Sequence, residues 1–255
     1  MAKKVRAPNP PRKVQAPKVR QKHDVGGGGG FAMPSTNVLI GVALAVLVAL
    51  VVLVVVMFSG SSGSDADVTT ADVAKVRAAV KAAGGTFTSR LDGRVDPPNN
   101  HMASPNQHVT YETFPASSGI HNPTTSIWGD YRVPVDPRQA VHNLEHGGVV
   151  IWYGPDISAA DRAALDTFYD EDENGLIITP IPDPYPGVTY PKHKPLGSKI
   201  ALTVWTVNQD DVDNGKVHIA VFPHFDQKAF ATFRDTFRGK GLERFPVSQM
   251  LPGGN

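Results

Sequence analysis

Asp136 to Tyr153 reads DPRQAVHNLEHGGVVIWY, and its two halves ask for different structures. The first half is a helix signal. Asp136 is an N-cap acid, Pro137 takes the first helical position, and Gln139 stands three residues after the cap. The helix should run to His146 and stop at Gly147-Gly148. Val149 to Tyr153 is an unbroken apolar run and reads as a buried strand. A helix feeding straight into a buried strand puts the folded part in a mixed class.

The flanking sequence extends the pattern. Ser158 should cap a helix that carries Leu165 and Phe168 and ends near Asn174-Gly175; Leu176 to Thr179 is a second strand. Pro180 to Pro195 is a proline-studded loop holding Tyr185 and Tyr190. Ile200 to Val207 and Lys216 to Phe222 are strands joined through Asp213-Asn214-Gly215, where Asn-Gly favours a tight hairpin turn. Asp226 to Arg238 is a last helix with Phe230, Phe233 and Phe237 on one face. Upstream, Thr69 to Asp72 opens a helix with Val73, Val76, Val80 and Ala83 on one stripe, and Gly84-Gly85 ends it. Leu91 to Tyr131 has no regular pattern. The expected class is α+β, and the order β-α-β-loop-β-β-α resembles a thioredoxin-like core. The proline loop would stand in place of its central helix, and no cysteine is present for redox chemistry.

A second stretch sets the topology. Val38 to Phe58 (VLIGVALAVLVALVVLVVVMF) has no charge and no proline. At about 1.5 Å per residue it spans roughly one bilayer core. Eight basic residues and one acid, Asp24, precede it, a net +7; the remainder of the chain is net −6, though the whole is only +1. Basic flanks stay inside, so the N-terminus is expected in the cytoplasm and the C-terminal part outside. A cleaved signal peptide would have a shorter apolar core and a small-residue cleavage site, which this segment lacks. The expected organisation is a disordered basic tail (1–37), a single-pass transmembrane helix (38–58), a flexible linker (59–66) and an extracytoplasmic domain (67–255). The membrane is then one partner, and an envelope protein docking on the Tyr- and Pro-rich loop is another. No motif supports nucleic-acid binding by the tail, and no small-molecule substrate is indicated.

The absence of cysteine excludes thiolate metal sites, C-x-x-C chemistry and cysteine nucleophiles. Histidine is the concentrated chemical resource. Five of the nine lie between residues 101 and 146: His101, His108, His121, His142 and His146. Imidazole suits zinc and copper, so Cu or Zn is the expected ion. Met102, beside His101, adds a thioether that suits Cu(I). The opposing reading is that these histidines merely cap turns.

His142-Asn-Leu-Glu145-His146 is the sharpest element. Positions i, i+3 and i+4 share a helix face, so His142 and His146 could chelate one ion with Glu145 beside it. The same H-x-x-E-H spacing occurs in inverted zinc peptidases, where the glutamate activates a metal-bound water. Such an enzyme needs a third ligand, and Glu243, beyond the last helix, is the only glutamate after Glu173. The alternative is that Glu145 orients one imidazole or pairs with an arginine. His121 is the first choice for a third imidazole and His108 the next. Asp170 to Gly175 matches half of a calcium loop but has Ile181 where the bidentate glutamate belongs. Ser117 and Ser118 near His121 lack the G-x-S-x-G elbow of a serine hydrolase.

Phe114-Pro-Ala-Ser-Ser-Gly-Ile-His121, Trp128-Gly-Asp-Tyr131 and Val141 to Tyr153 together resemble a bacterial membrane-anchored family labelled domain of unknown function 3105. The likeness spans about residues 100 to 245. The chain departs from the family pattern at Ala116 and Ile120, where Thr and Pro are usual. The resemblance supplies no activity. It implies that His108, His121, His142, Glu145 and His146 occupy motif positions. The sequence therefore points to a membrane-anchored domain that binds Cu or Zn through His142, His146, His121, His108 and Glu145, more a binding protein than an enzyme. A structural docking module and a metal-dependent hydrolase are the competing readings.

Overall fold

Alternation along one strand sorts the core. In β4 (Val149–Tyr153), Val149, Ile151 and Tyr153 join one apolar cluster, while Val150 and Trp152 join another. Successive strand side chains point to opposite faces, so both faces of this strand are covered. The computed structural model describes residues 66–92, 101–181, 184–191 and 194–253. The expected tail, the apolar segment 38–58 and all of the linker but Ala66 lie outside the described residues. Among the described residues no helix is long and apolar enough to cross a membrane.

The remaining elements follow in chain order. They are α1 (Thr70–Ala82), β1 (Thr86–Leu91), β2 (Val109–Thr110), β3 (Gly129–Asp130), α2 (Pro137–Glu145), α3 (Ala159–Glu171), β5 (Leu176–Pro180), β6 (Val188–Thr189), β7 (Ile200–Asn208), β8 (Asp211–Phe222) and α4 (Gln227–Phe237). A 3-10 turn at Val247–Gln249 follows. The six-stranded sheet runs β1-β8-β7-β4-β5-β3. β4 pairs parallel with β5 and antiparallel with β7, so the sheet is mixed. The fold is α+β.

Local chemistry explains the helices. The Thr69 hydroxyl and the Asp72 carboxylate form a reciprocal capping box at α1. Asp136, Ser158 and Asp226 cap α2, α3 and α4 through their side chains. Val76 and Val80 of α1, Leu165 and Phe168 of α3, and Phe230, Phe233 and Phe237 of α4 pack on one face of the sheet. Ala140, Val141 and Leu144 of α2 pack on the other, against Trp128, Trp152 and Trp205. That second face carries the candidate site.

Two local expectations are corrected. The β7–β8 turn is made by Gln209-Asp210, not by Asn214-Gly215. Asn214 and Gly215 fall inside β8, where the register shifts between Thr206 and Asn208. The amide of Asn214 bonds Asp211, and the Gly215 carbonyl accepts from Asp92, so the dipeptide serves an irregular strand and not a hairpin tip. The second correction is β1, which the sequence leaves unassigned. It is an edge strand whose alternation is weak, and its pairing with β8 sets its place.

The proline-studded loop turns inward. Tyr190 is buried, with its ring edge-on to Phe114, and Tyr185 lies beneath the Arg138 guanidinium. The β2–β6 pair ties this loop to the segment after His108.

Candidate metal centre

The C-terminal half of α2 grips a loop. Asn143 accepts from the Ser126 amide and donates to the Ser126 carbonyl, both at 2.9 Å. The Asn122 amide donates to the Arg138 carbonyl at 3.1 Å. These bonds fix residues 122–126 along the helix, and His121 enters the fold at their head. Met102 donates its amide to the His121 carbonyl at 2.7 Å, forming a parallel bridge between His101 and His121. Two chain segments and one helix thereby converge.

The end of α2 needs its glycines. Gly147 has φ +94°, a conformation that side chains rarely adopt. A Cβ on Gly148 would lie 2.3 Å from the Trp128 ring. The helix can thus stop directly over the Trp128 wall.

His101, His121, His142 and Glu145 each aim one ligand atom at a common point, and those atoms lie within 4.8 Å of one another. Glu145 Oε2 is 3.0 Å from His121 Nε2, 3.9 Å from His142 Nε2 and 4.0 Å from His101 Nε2. His121, His142 and Glu145 are buried; the His101 side chain is 33% exposed.

Tautomers follow from the far side of each ring. His121 Nδ1 sits 2.8 Å from the Gly119 carbonyl, and His142 Nδ1 sits 2.8 Å from the Asn122 carbonyl. A carbonyl only accepts, so both Nδ1 atoms carry the proton. In the neutral rings both Nε2 atoms then present lone pairs to the Glu145 carboxylate, which also has only lone pairs to offer. Acceptors face acceptors, and a cation at the centre resolves the conflict. Backbone carbonyls that set the tautomer are also the usual support for metal-bound imidazoles.

The electrostatics agree. Burial pushes the His142 imidazolium pKa down to about 4, outweighing the Asn122 carbonyl and the Glu145 charge that favour protonation. Burial opposes the Glu145 charge, and the lowering of its carboxyl below the usual range requires a proton on His121 Nε2 or charge on the neighbouring imidazoles. A neutral imidazole and a carboxylate are the forms that bind a metal.

Helical spacing does bring His146 next to His142, with ring centroids 4.6 Å apart. Its Nε2, however, meets Glu243 Oε2 at 2.9 Å, outside the inner group. His108 is not among the inner donors: its Nε2 bonds the Thr189 hydroxyl at 2.9 Å, and it lines a cavity of about 340 Å³ with Arg90, Asp92 and Glu112. His101 is the donor that the sequence-derived ligand set omits. Its position beside Met102 in the histidine-rich window is the one sequence signal it gives. Met102 itself is buried in the apolar cluster.

The lesser motifs have other partners. Asp172 makes paired bonds to Arg238 at 2.9 and 2.5 Å, so the half calcium loop is an acidic helix end tied to arginine. Ser117 bonds Thr113, Ser118 bonds the Asp92 carbonyl, and both His121 nitrogens face Gly119 and Glu145. No serine–histidine pair forms there.

A family model described as "Protein of unknown function (DUF3105)" matches residues 102–228. The chain is similar to that family. The match includes His121, His142, Glu145 and His146, begins one residue after His101 and ends before Glu243. No curated protein and no solved structure gives a match.

Proposed function

We propose that this protein is a membrane-anchored, extracytoplasmic domain that binds one transition-metal ion, Zn or Cu, through His101, His121, His142 and Glu145. One observation carries the reading. Two buried imidazoles, each with its Nδ1 held on a backbone carbonyl, turn their Nε2 atoms toward a buried carboxylate. A proton can bridge one such pair; an ion with several open positions suits all four donors.

Ligand chemistry favours Zn or Cu(II), since the set is three imidazoles and a carboxylate without thiolate. Zinc bonds of about 2.0–2.1 Å would place tetrahedral ligands about 3.3 Å apart. The donor atoms lie 3.0 to 4.0 Å from Glu145 Oε2 and within 4.8 Å of one another, so binding needs His121 to draw back slightly from Glu145 and the other imidazoles to close in, with partly exposed His101 the least confined. Four protein donors fill a tetrahedral ion and leave no position for substrate, which supports metal handling over hydrolysis. The hydrolase reading also needs His142 and His146 on one ion with Glu145 as the base. Instead Glu145 sits among the donors and His146 turns to Glu243.

The strand order β8-β7-β4-β5, with β4 and β5 parallel and β7 reversed, supports the thioredoxin-like reading of the core without its redox cysteines. The +7 tail and apolar residues 38–58 support the single-pass, N-terminus-inside anchor.

Elemental analysis of purified full-length protein, followed by Zn(II) and Cu(II) titration of wild type and His121→Ala and His142→Ala, tests the site. About one ion per chain, lost in both variants, is expected. Equal weak binding by all three would make the histidines structural and favour an envelope docking module. Protease added to intact cells tests the anchor: loss of residues 67–255 with the tail spared is expected, and a released domain beginning near Ser59 would replace the anchor with a cleaved signal.

A further inference from the structure

His146 and Glu243 stand just outside the inner donors and have a use there. Glu243 Oε2 is 2.9 Å from His146 Nε2, which is the separation of two ligands at right angles on one ion with bonds of about 2.1 Å. The same 2.9 Å is an ordinary hydrogen-bond distance, so clamping a cation requires both donors to turn toward a shared point. The glutamate side chain is 46% exposed and the imidazole 19%. Phe245 stacks flat on the His146 ring at 4.4 Å, and the Glu243 amide donates to the Glu145 carbonyl at 3.1 Å. The His146 ring and the Glu243 backbone are therefore both held in place against the end of α2.

His146 also abuts the inner set. Its ring meets the His142 ring edge-on at 4.6 Å, and His142 belongs to the inner set. A chain of donors thus runs from an exposed carboxylate through a half-buried imidazole to a buried one. We propose that His146 and Glu243 form an outer metal site that takes a divalent ion from solvent and passes it to the inner centre. The proposal rests on the metal-binding reading above. Two donors hold an ion weakly enough to release it, and four hold it more tightly, so transfer runs inward. His101 offers a second opening, but it is itself an inner donor. Its loss weakens affinity and uptake together, whereas loss of Glu243 separates them.

The test uses full-length protein in detergent. Trp205 lies 6.1 Å from the His121 ring and Trp128 packs at the end of α2, so the slower phase of tryptophan quenching by Cu(II), after any fast quenching at the outer pair, reports arrival at the inner site. Stopped-flow mixing with Cu(II) should show uptake slowed about tenfold in Glu243→Gln, while equilibrium affinity for the tight ion falls by less than threefold. A second, weaker Cu(II) found on wild type should be missing from the variant. Unchanged uptake by a variant that still binds the tight ion overturns the outer site and leaves the inner one standing. A proportional loss of affinity and rate makes Glu243 part of the inner centre and also overturns the proposal. A wild type that binds no copper or zinc defeats the inner reading itself. Circular dichroism of the variant checks that the fold is retained.

Discussion

His121 Nε2 lies 3.0 Å from Glu145 Oε2, and the opposite nitrogen of the same ring is held 2.8 Å from the Gly119 carbonyl. The second contact dictates the first. With the proton fixed on Nδ1, the two facing atoms are compatible only if a cation lies between or beside them. Under the proposed function a bound metal ion is that cation, and the metal-free protein lacks it.

Glu145→Gln should separate these states. A glutamine amide can donate to His121 Nε2, so the metal-free variant should be as stable as wild type or more so, by about 1 kcal/mol. Its metal affinity should fall at least a hundredfold. Thermal unfolding with and without Zn(II) measures both. Wild type should gain about 2.7 kcal/mol at free Zn(II) of a hundred times its Kd, and the variant almost none.

His142 should titrate near pH 4 in the metal-free protein, well below an ordinary imidazole, because burial opposes its charge. The ring therefore remains a competent ligand at pH 5. NMR of imidazole nitrogens should show a neutral, Nδ1-protonated ring there. An Nε2-protonated ring, or a midpoint near 6.5, would break the argument from tautomers. The contribution of His142 to affinity should then persist to lower pH than that of an ordinary imidazole, which protonates at about pH 6.5.

Most of the helices were legible because their caps are local. Asp136, Ser158 and Asp226 each announce a start within a few residues, and all three do cap. The strands VVIWY and Ile200 to Asn208 are legible as buried apolar runs. β1 is not, because its place depends on β8, far along the chain. The same division holds at the site. Helical spacing brings the His142 and His146 rings together, but it cannot say where each Nε2 points. That direction is set by the Asn122 carbonyl for His142 and by Glu243 for His146. His101 joins the centre through a backbone bridge to His121 that no short-range pattern encodes.

Asn143→Ala should loosen the centre without touching a donor. It removes two bonds and leaves the Ser126 amide and carbonyl buried without their partner. The cost should be about 2–4 kcal/mol in urea unfolding. Metal affinity should drop about tenfold as the His121 loop gains freedom. Full affinity in a clearly destabilised variant would show that the loop is positioned by its other contacts.

His218 makes a prediction remote from the metal. It is fully buried, its ring stacked on Phe237 at 4.3 Å and lying parallel to Phe87 at 6.1 Å, with Nε2 on the Thr206 hydroxyl and Nδ1 without a partner. Burial pushes its pKa down to about 3. The unfolded chain binds this proton below about pH 6.5 while the folded protein refuses it. Stability is thus fully present above pH 6.5 and is lost as pH falls toward 3, by up to about 1.4 kcal/mol per pH unit. His218→Phe keeps the stacked ring and removes the titration. Urea midpoints at pH 7, 6, 5 and 4 should fall less steeply for this variant than for wild type. Equal slopes would mean that His218 protonates as readily in the folded protein as in the unfolded chain.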